Sequence, residues 1–355
     1  MSVFDSTEAA PKLGRAAVGV PPRPIRARLI ATVVAYGTLA LVTCLLAPLV
    51  GSTPISFSHV FDRSIPFTDN VDAQIFFVAR MPRVLAGAVV GAALASAGVV
   101  LQALLRNPLA TPFTLGVSAG AALGAMLAIS FGAAVTFGPF LPVPLASFAG
   151  AILATSIVYG LATRPGRAMS TSVLLLAGVT LNSFFSALIL FVQYMSDFTE
   201  TFRTVRWLMG DLDIGGFTPV LAALPLLLAA FALFAMLPSS LNLLSVGAEQ
   251  AATRGVDVAR VQRLAFISSA LATAAAVSLA GPIGFVGIVV PHLVRLMVGV
   301  DHRIVLPASA FFGAAFLVAC DLVSRTVLAP VEVPVGVVTA MLGGPFFLWL
   351  LVRKS

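Results

Sequence analysis

From Leu29 to Val50 the chain runs 22 residues without a single charged side chain, and nine further apolar stretches follow it. At about 1.5 Å per residue, a helix of that length crosses the roughly 30 Å hydrocarbon layer of a bilayer. Inside lipid the backbone must satisfy its own hydrogen bonds, so each stretch predicts a helix rather than an irregular crossing. The other nine lie at about 84–105, 115–133, 143–161, 173–194, 218–237, 261–280, 285–299, 304–324 and 335–352. The expected fold class is all-α: a polytopic membrane protein with ten transmembrane helices in a domain covering residues 28–355. The stretch at 285–299 is short and opens on Gly281-Pro282-Ile283-Gly284, which suggests a tilted or re-entrant segment. Residues 1–27, polar and Pro-rich, read as a disordered N-terminal tail.

Composition rules out the soluble alternatives. Hydrophobic residues make up 59% of the chain and charged ones only 10%, with a mean hydropathy of +1.05, too little polar surface to coat a globule of 355 residues. The +7 net charge does not point to nucleic acid, because the basic residues sit in short clusters between apolar runs, as membrane-flanking anchors do. Only two of the 21 basic residues are lysines, Lys12 and Lys354, and neither follows a glycine-rich loop. The chain therefore has no phosphate-cradling loop of the kind that binds ATP. Cys44 and Cys320 lie far apart in apolar segments and read as packing residues.

Ten crossings put both termini on one side, and arginine placement chooses the cytoplasmic side. In that arrangement fifteen basic residues face inward (Lys12, Arg15, Arg23, Arg26, Arg28, Arg106, Arg164, Arg167, Arg254, Arg260, Arg263, Arg295, Arg303, Arg353 and Lys354). Six face outward: Arg63, Arg80, Arg83, Arg203, Arg206 and Arg325. The outer segment 195–217 carries Asp197, Glu200, Trp207, Asp211 and Asp213 and suits a short interfacial helix. The inner segment 238–260, the longest cytoplasmic connection, mixes apolar and charged residues at helical spacing and is the natural grip for a partner. Spans 2 and 7 are each followed by a Gly/Pro-interrupted stretch five spans apart, a pattern of inverted-repeat-like halves.

Small residues recur every fourth position at Gly87, Gly91 and Ala95, and again at Gly116, Gly120 and Gly124, a spacing that brings helix backbones close in a membrane. The match of Gly116-Val117-Ser118-Ala119-Gly120 to a serine-hydrolase elbow is read as this same packing rhythm, since the elbow needs a strand before its helix. Charge inside the spans is nearly absent: Arg263, His292, Arg295 and Asp321 come nearest. That scarcity argues against an ion-coupled secondary transporter. Gln102, Asn182, Ser183, Ser186 and Gln193 either line a path or bridge helices.

Several longer motifs occur in order. They begin with Arg80-Met81-Pro82-Arg83-Val84-Leu85-Ala86-Gly87, Gln102 with Arg106-Asn107-Pro108-Leu109-Ala110, and Leu115-Gly116-Val117-Ser118-Ala119-Gly120. Leu174-Leu175-Leu176-Ala177-Gly178-Val179, Trp207-Leu208-Met209-Gly210 and Leu243-Leu244-Ser245-Val246-Gly247-Ala248-Glu249 follow. The last are Gly281-Pro282-Ile283-Gly284-Phe285-Val286-Gly287, Pro291-His292, Arg295, Asp301-His302, and Pro334-Val335-Gly336 through Gly344-Pro345-Phe346-Phe347. Together, over about residues 28–353, they resemble the membrane permease subunits of ATP-driven importers for iron-siderophores, haem and vitamin B12.

That resemblance implies a translocation subunit, not an enzyme, in the bacterial inner membrane. It implies two ATPase subunits below, a second permease copy beside it, and a periplasmic or lipid-tethered substrate-binding protein above. It implies no cofactor bound by this chain, with ATP and magnesium held by the ATPase. By the same resemblance Arg80, Arg83 and Arg325 would dock the binding protein. Asn107, Leu109, Thr171 and Ser172 would form the inner gate, and Asn182, Ser183 and Ser186 would line the path. Leu243, Gly247, Glu249 and Gly255 would belong to the segment that couples to the ATPase. Relatives carry Gly-Glu-Glu where this chain has Gly-Ala-Glu-Gln, one acid fewer. Ferric siderophore is the first choice of cargo, with haem or cobalamin as the alternative; a secondary transporter or intramembrane hydrolase ranks far below.

Overall fold

The computed structural model describes residues 24–131, 142–163 and 169–354, and these residues are helical with no strand among them. Residues 1–23 of the expected tail, together with Arg164 and Arg167 of the charge pattern, lie outside the described residues. Every apolar stretch forms a helix: α1 (Ile25–Leu46), α2 (Met81–Leu105), α3 (Val117–Ser130), α4 (Pro142–Ala162) and α5 (Thr171–Met195). A short amphipathic helix, α6 (Phe198–Leu208), precedes α7 (Thr218–Ala235). The connection expected to face inward is a pair of short helices, α8 (Pro238–Val246) and α9 (Ala248–Thr253). After it come α10 (Val258–Ala280), α11 (Val286–Val298), α12 (His302–Thr326) and α13 (Val335–Lys354).

Seven of these helices are long and apolar enough to cross a membrane, whereas the apolar parts of α3, α11 and α13 are shorter. At 14 and 13 residues, α3 and α11 reach only about 20 Å. Two boundaries differ from the sequence reading. Helix α1 starts at Ile25, inside the segment expected to be a tail. Helix α2 continues an unbroken helical run from Val71, through a π-type stretch at Ile75–Arg80, so the span is 35 residues long. Asp72, Gln74 and Arg80 interrupt the apolar run there and hide the helix from a hydropathy reading.

Burial separates a centre from a periphery. The most apolar stretches of α2, α10 and α12 are 78%, 72% and 67% buried, against 6% for α1 and 17% for α5. Close backbone approach makes that centre: a Cβ on Gly91 would stand 2.2 Å from the Gly313 carbonyl oxygen, and one on Gly98 would stand 2.1 Å from that of Gly287. The second small-residue run acts in the same way, because a Cβ on Gly120 would lie 2.4 Å from Gly150 O. No Cβ fits between such backbones, which trades side-chain bulk for dispersion contacts along the helix pair. Ser118 sits in the first turn of α3 with a 3₁₀ turn before it, Pro112–Leu115, so the strand a nucleophile elbow requires is absent there.

Among the described residues, only Arg106 (φ 49°) and Phe285 (φ 66°) are non-glycine residues in the left-handed region. They fall in the two Gly/Pro-interrupted stretches, after α2 and α10, and each break is followed by one of the short helices α3 and α11.

Candidate functional site

Helices α2 and α12 run antiparallel, so each end of the pair gathers residues from the start of one and the end of the other. At one end, Arg83 Nε donates to Asp321 Oδ1 at 2.7 Å and its Nη1 donates to Glu332 Oε2 at 2.7 Å. Asp321 is 1% exposed and also lies 3.4 Å from Arg325 Nε. Arg325 Nη2 donates to Ala47 O at 2.6 Å, and Arg80 donates to Pro48 O at 2.9 Å and to Thr53 O. Three guanidinium groups and two carboxylates thus share one site, and only Glu332, 44% exposed, reaches solvent appreciably. A cavity of about 460 Å³ opens beside it, lined by Arg83, Glu332, Phe202, Arg206 and Asp211 among others. All three arginines proposed from sequence as docking residues are brought together here, but buried and already bonded within the chain. Their carboxylate partners were not proposed from sequence. The Asp321/Arg325 spacing, four residues apart on one helix, was the available signal.

Segment 195–217 forms the expected short helix. Asp197 Oδ1 accepts from Glu200 N at 2.8 Å and caps α6, which leaves Phe198 and Phe202 exposed.

At the opposite end, Asn242 of α8 holds the start of α12. Its Nδ2 donates to Asp301 Oδ1 at 2.7 Å, and its Oδ1 accepts from the His302 backbone N–H at 2.9 Å. The Asn242 amide orientation is fixed by the Asp301 carboxylate, so His302 Nδ1, 2.7 Å from Asn242 Oδ1, must carry the proton. Asp301 also caps α12 and pairs with Arg303 at 2.8 Å. The hydrogen bonds from Arg303 hold its carboxyl well below the usual carboxylate range. One turn inward, Gln102 bridges helices: its Nε2 donates to Gly287 O at 3.0 Å and its Oε1 accepts from Arg295.

Segment 238–260, expected to couple to an ATPase, is a helix–turn–helix that turns at Gly247 (φ 148°) and ends near Gly255 (φ 82°). Leu243 and Gly247 are half-buried, whereas Glu249 and Gly255 are exposed. The expected gate residues divide. Asn107 Oδ1 accepts from Leu109 N at 2.9 Å and shapes the loop after α2, leaving the Leu109 side chain exposed. Thr171 and Ser172 open α5 behind the Ser170 cap. Asn182 donates to Phe113 O at 3.0 Å, and a Cβ on Gly178 would stand 2.4 Å from Thr114 O, so α5 packs on the turn that leads into α3. Ser183 donates to Val179 O at 3.2 Å, and both Ser183 and Ser186 lie on the exposed side of α5.

No group of three or more His, Cys, Asp or Glu suited to a metal ion occurs among the described residues.

Comparison with known proteins places this arrangement. The chain is 44% identical to a cobalamin import system permease protein of Halobacterium salinarum, over 84% of this chain and 78% of that one. It is 38% identical to a hemin transport system permease protein of Yersinia pestis, over 86% and 90%. It is also 38% identical to a Helicobacter pylori permease assigned to iron chelatin transport, over 77% and 81%. A solved structure assigned as a metal-chelate type ABC transporter, in an inward-facing conformation, superposes with a TM-score of 0.79 at 31% identity, covering 92% of this chain and all of that one. Residues 39–353 match the FecCD transport family, and the chain, a multi-pass membrane transport protein, belongs to that family.

Proposed function

We propose that the chain is the translocation subunit of an ATP-driven importer of a metal chelate, with ten spans, both termini in the cytoplasm and its place in the bacterial inner membrane. The observation that carries this reading is the helical pair α8–α9, which turns at Gly247 between α7 and α10 with Ser245, Val246, Glu249 and Gln250 exposed, on a chain whose sequence has no nucleotide-binding loop. Such an exposed turn suits a cleft on a separate ATPase, two copies of which would supply ATP and magnesium chemistry. A second copy of the permease would meet the first along α5. That helix is largely unburied yet exposes Ser183 and Ser186, an arrangement that fits a translocation path better than lipid. A soluble binding protein would dock at the opposite end, where an incoming carboxylate would compete with Glu332 for Arg83.

Cargo is proposed at the level of class. Ferric siderophore, the choice from sequence, stands beside cobalamin and haem, because relatives of comparable identity are named for each of the three chelate types. The test is uptake into proteoliposomes holding the permease and its co-purified ATPase, with binding protein and radiolabelled ferric siderophore or cobalamin outside. Uptake that requires ATP is expected. Uptake driven by an ion gradient alone would overturn the assignment.

A further inference from the structure

Next to the Asn242 clamp lies a cavity of about 540 Å³, whose walls include Arg106, Asn107, Asn242, Arg295, Val300 and His302. Its charge is unbalanced. Arg295 gives one N–H to Gln102, and the other four guanidinium hydrogens find no acceptor among the described residues. Arg106, in its left-handed turn after α2, makes no ion pair or side-chain hydrogen bond among them either. The one carboxylate at the rim, Asp301, is already taken by Arg303 at 2.8 Å and by Asn242 at 2.7 Å. Two arginines without a carboxylate partner among the described residues therefore line one concave, solvent-reachable space, a chemistry that suits an oxyanion.

A second observation selects the source of that anion. Leu296, Met297 and Val300 leave the same helix end 68%, 58% and 76% exposed. They adjoin α1, the least buried helix: Arg28 donates to Val298 O at 2.9 Å, and the Tyr36 hydroxyl lies 3.4 Å from Met297 Sδ. Helix α1 presents Ile30, Val34, Leu41 and Leu45 outward, so the bilayer lies against this rim. In the topology proposed above, on which this inference rests, this end lies in the cytoplasmic leaflet, where anionic lipids attract clustered arginines. We propose that the cavity holds the phosphate of an anionic phospholipid, ligated by Arg106 and Arg295, with its acyl chains on Leu296, Met297 and Val300.

The test uses the purified full chain in neutral detergent and follows its thermal unfolding midpoint. Short-chain phosphatidylglycerol is added, and phosphatidylcholine and inorganic phosphate are added separately at the same concentrations. Phosphatidylglycerol is expected to raise the midpoint saturably, and the other two to leave it unchanged. Arg295→Gln is expected to abolish the shift. Arg106→Gln, which removes no bond within the chain, should weaken the apparent affinity about tenfold, the loss of one charge-assisted hydrogen-bonded pair. An equal shift with inorganic phosphate would overturn the lipid assignment in favour of a free anion. Equal shifts with both lipids, or an undiminished phosphatidylglycerol shift in Arg106→Gln, would overturn the site itself.

Discussion

Replacing Asp321 by asparagine keeps the shape of the buried side chain and removes its charge. Arg83 and Arg325, whose side chains are 10% and 4% exposed, would then share only Glu332 as a counter-charge. Breaking a buried ion pair by removing one partner costs about 3–5 kcal/mol, because the remaining charge stays desolvated. The unfolding equilibrium should therefore shift by about 100-fold or more. Glu332→Gln removes the other carboxylate, but that group is 44% exposed, so solvent screening should hold its cost to about 1 kcal/mol or less. A third variant, Arg83→Met with Asp321→Leu, deletes the Arg83–Asp321 pair and leaves only Arg325 buried without its carboxylate. It should be less destabilised than Asp321→Leu alone, which deprives both guanidinium groups of Asp321. Unfolding by added dodecyl sulfate in mixed micelles, followed through the fluorescence of Trp207 and Trp349, measures all four against the parent. Equal costs for Asp321→Asn and Glu332→Gln would refute the claim that burial, not pairing as such, sets the energetics of this cluster.

Two other perturbations probe the frame and its inner end. Gly91→Ala puts a methyl group where the Gly313 carbonyl oxygen stands 2.2 Å away, so α2 and α12 must separate; a loss of about 1–3 kcal/mol is expected in the same unfolding assay. Gly37→Ala, with nothing within 4 Å, should stay within about 0.5 kcal/mol of the parent. Asn242→Leu preserves bulk but deletes the bonds from α8 to Asp301 and His302. In the reconstituted transporter it should lower uptake about tenfold or more while ATP hydrolysis continues, because one kinetic step loses roughly 1.4 kcal/mol of coupling per tenfold. Parallel loss of both activities would refute a coupling role.

The helices were legible because each obeys a local rule. An uninterrupted apolar run the length of a bilayer predicts a span, and repeated glycines predict close approach, as Gly91 on Gly313 and Gly120 on Gly150 bear out. The polar clusters were legible only as isolated residues. Arg83 meets Asp321 and Glu332 across separations of 238 and 249 positions, and Gln102 meets Gly287 across 185. No periodicity reports a contact of that range. From sequence alone Gln102 suits either path lining or helix bridging; in the structure it bridges. The start of the second span is hidden in the sequence, because Asp72 and Arg80 belong to the helix but break the hydropathy on which a span is recognised.

The two clusters lie at opposite ends of one helix pair. Helix α12 has 25 residues, about 37 Å of continuous helix. Its first turn is bonded to α8 through Asn242, and its last turns carry Asp321 and Arg325. Helix α2 lies along it, locked at Gly91 and Gly313, with Arg83 at one end and Gln102 at the other. Close-packed helices of this kind do not deform smoothly; they shift as units between discrete arrangements. A displacement of α8 cannot be absorbed at Asn242 without breaking its bonds to Asp301 and His302, so it passes to α12. At the far end, the same movement changes the distance between Asp321 and the guanidinium groups around it. Buried charges there cost stability relative to apolar packing, yet they make that end responsive to a shift that leucines would tolerate unnoticed.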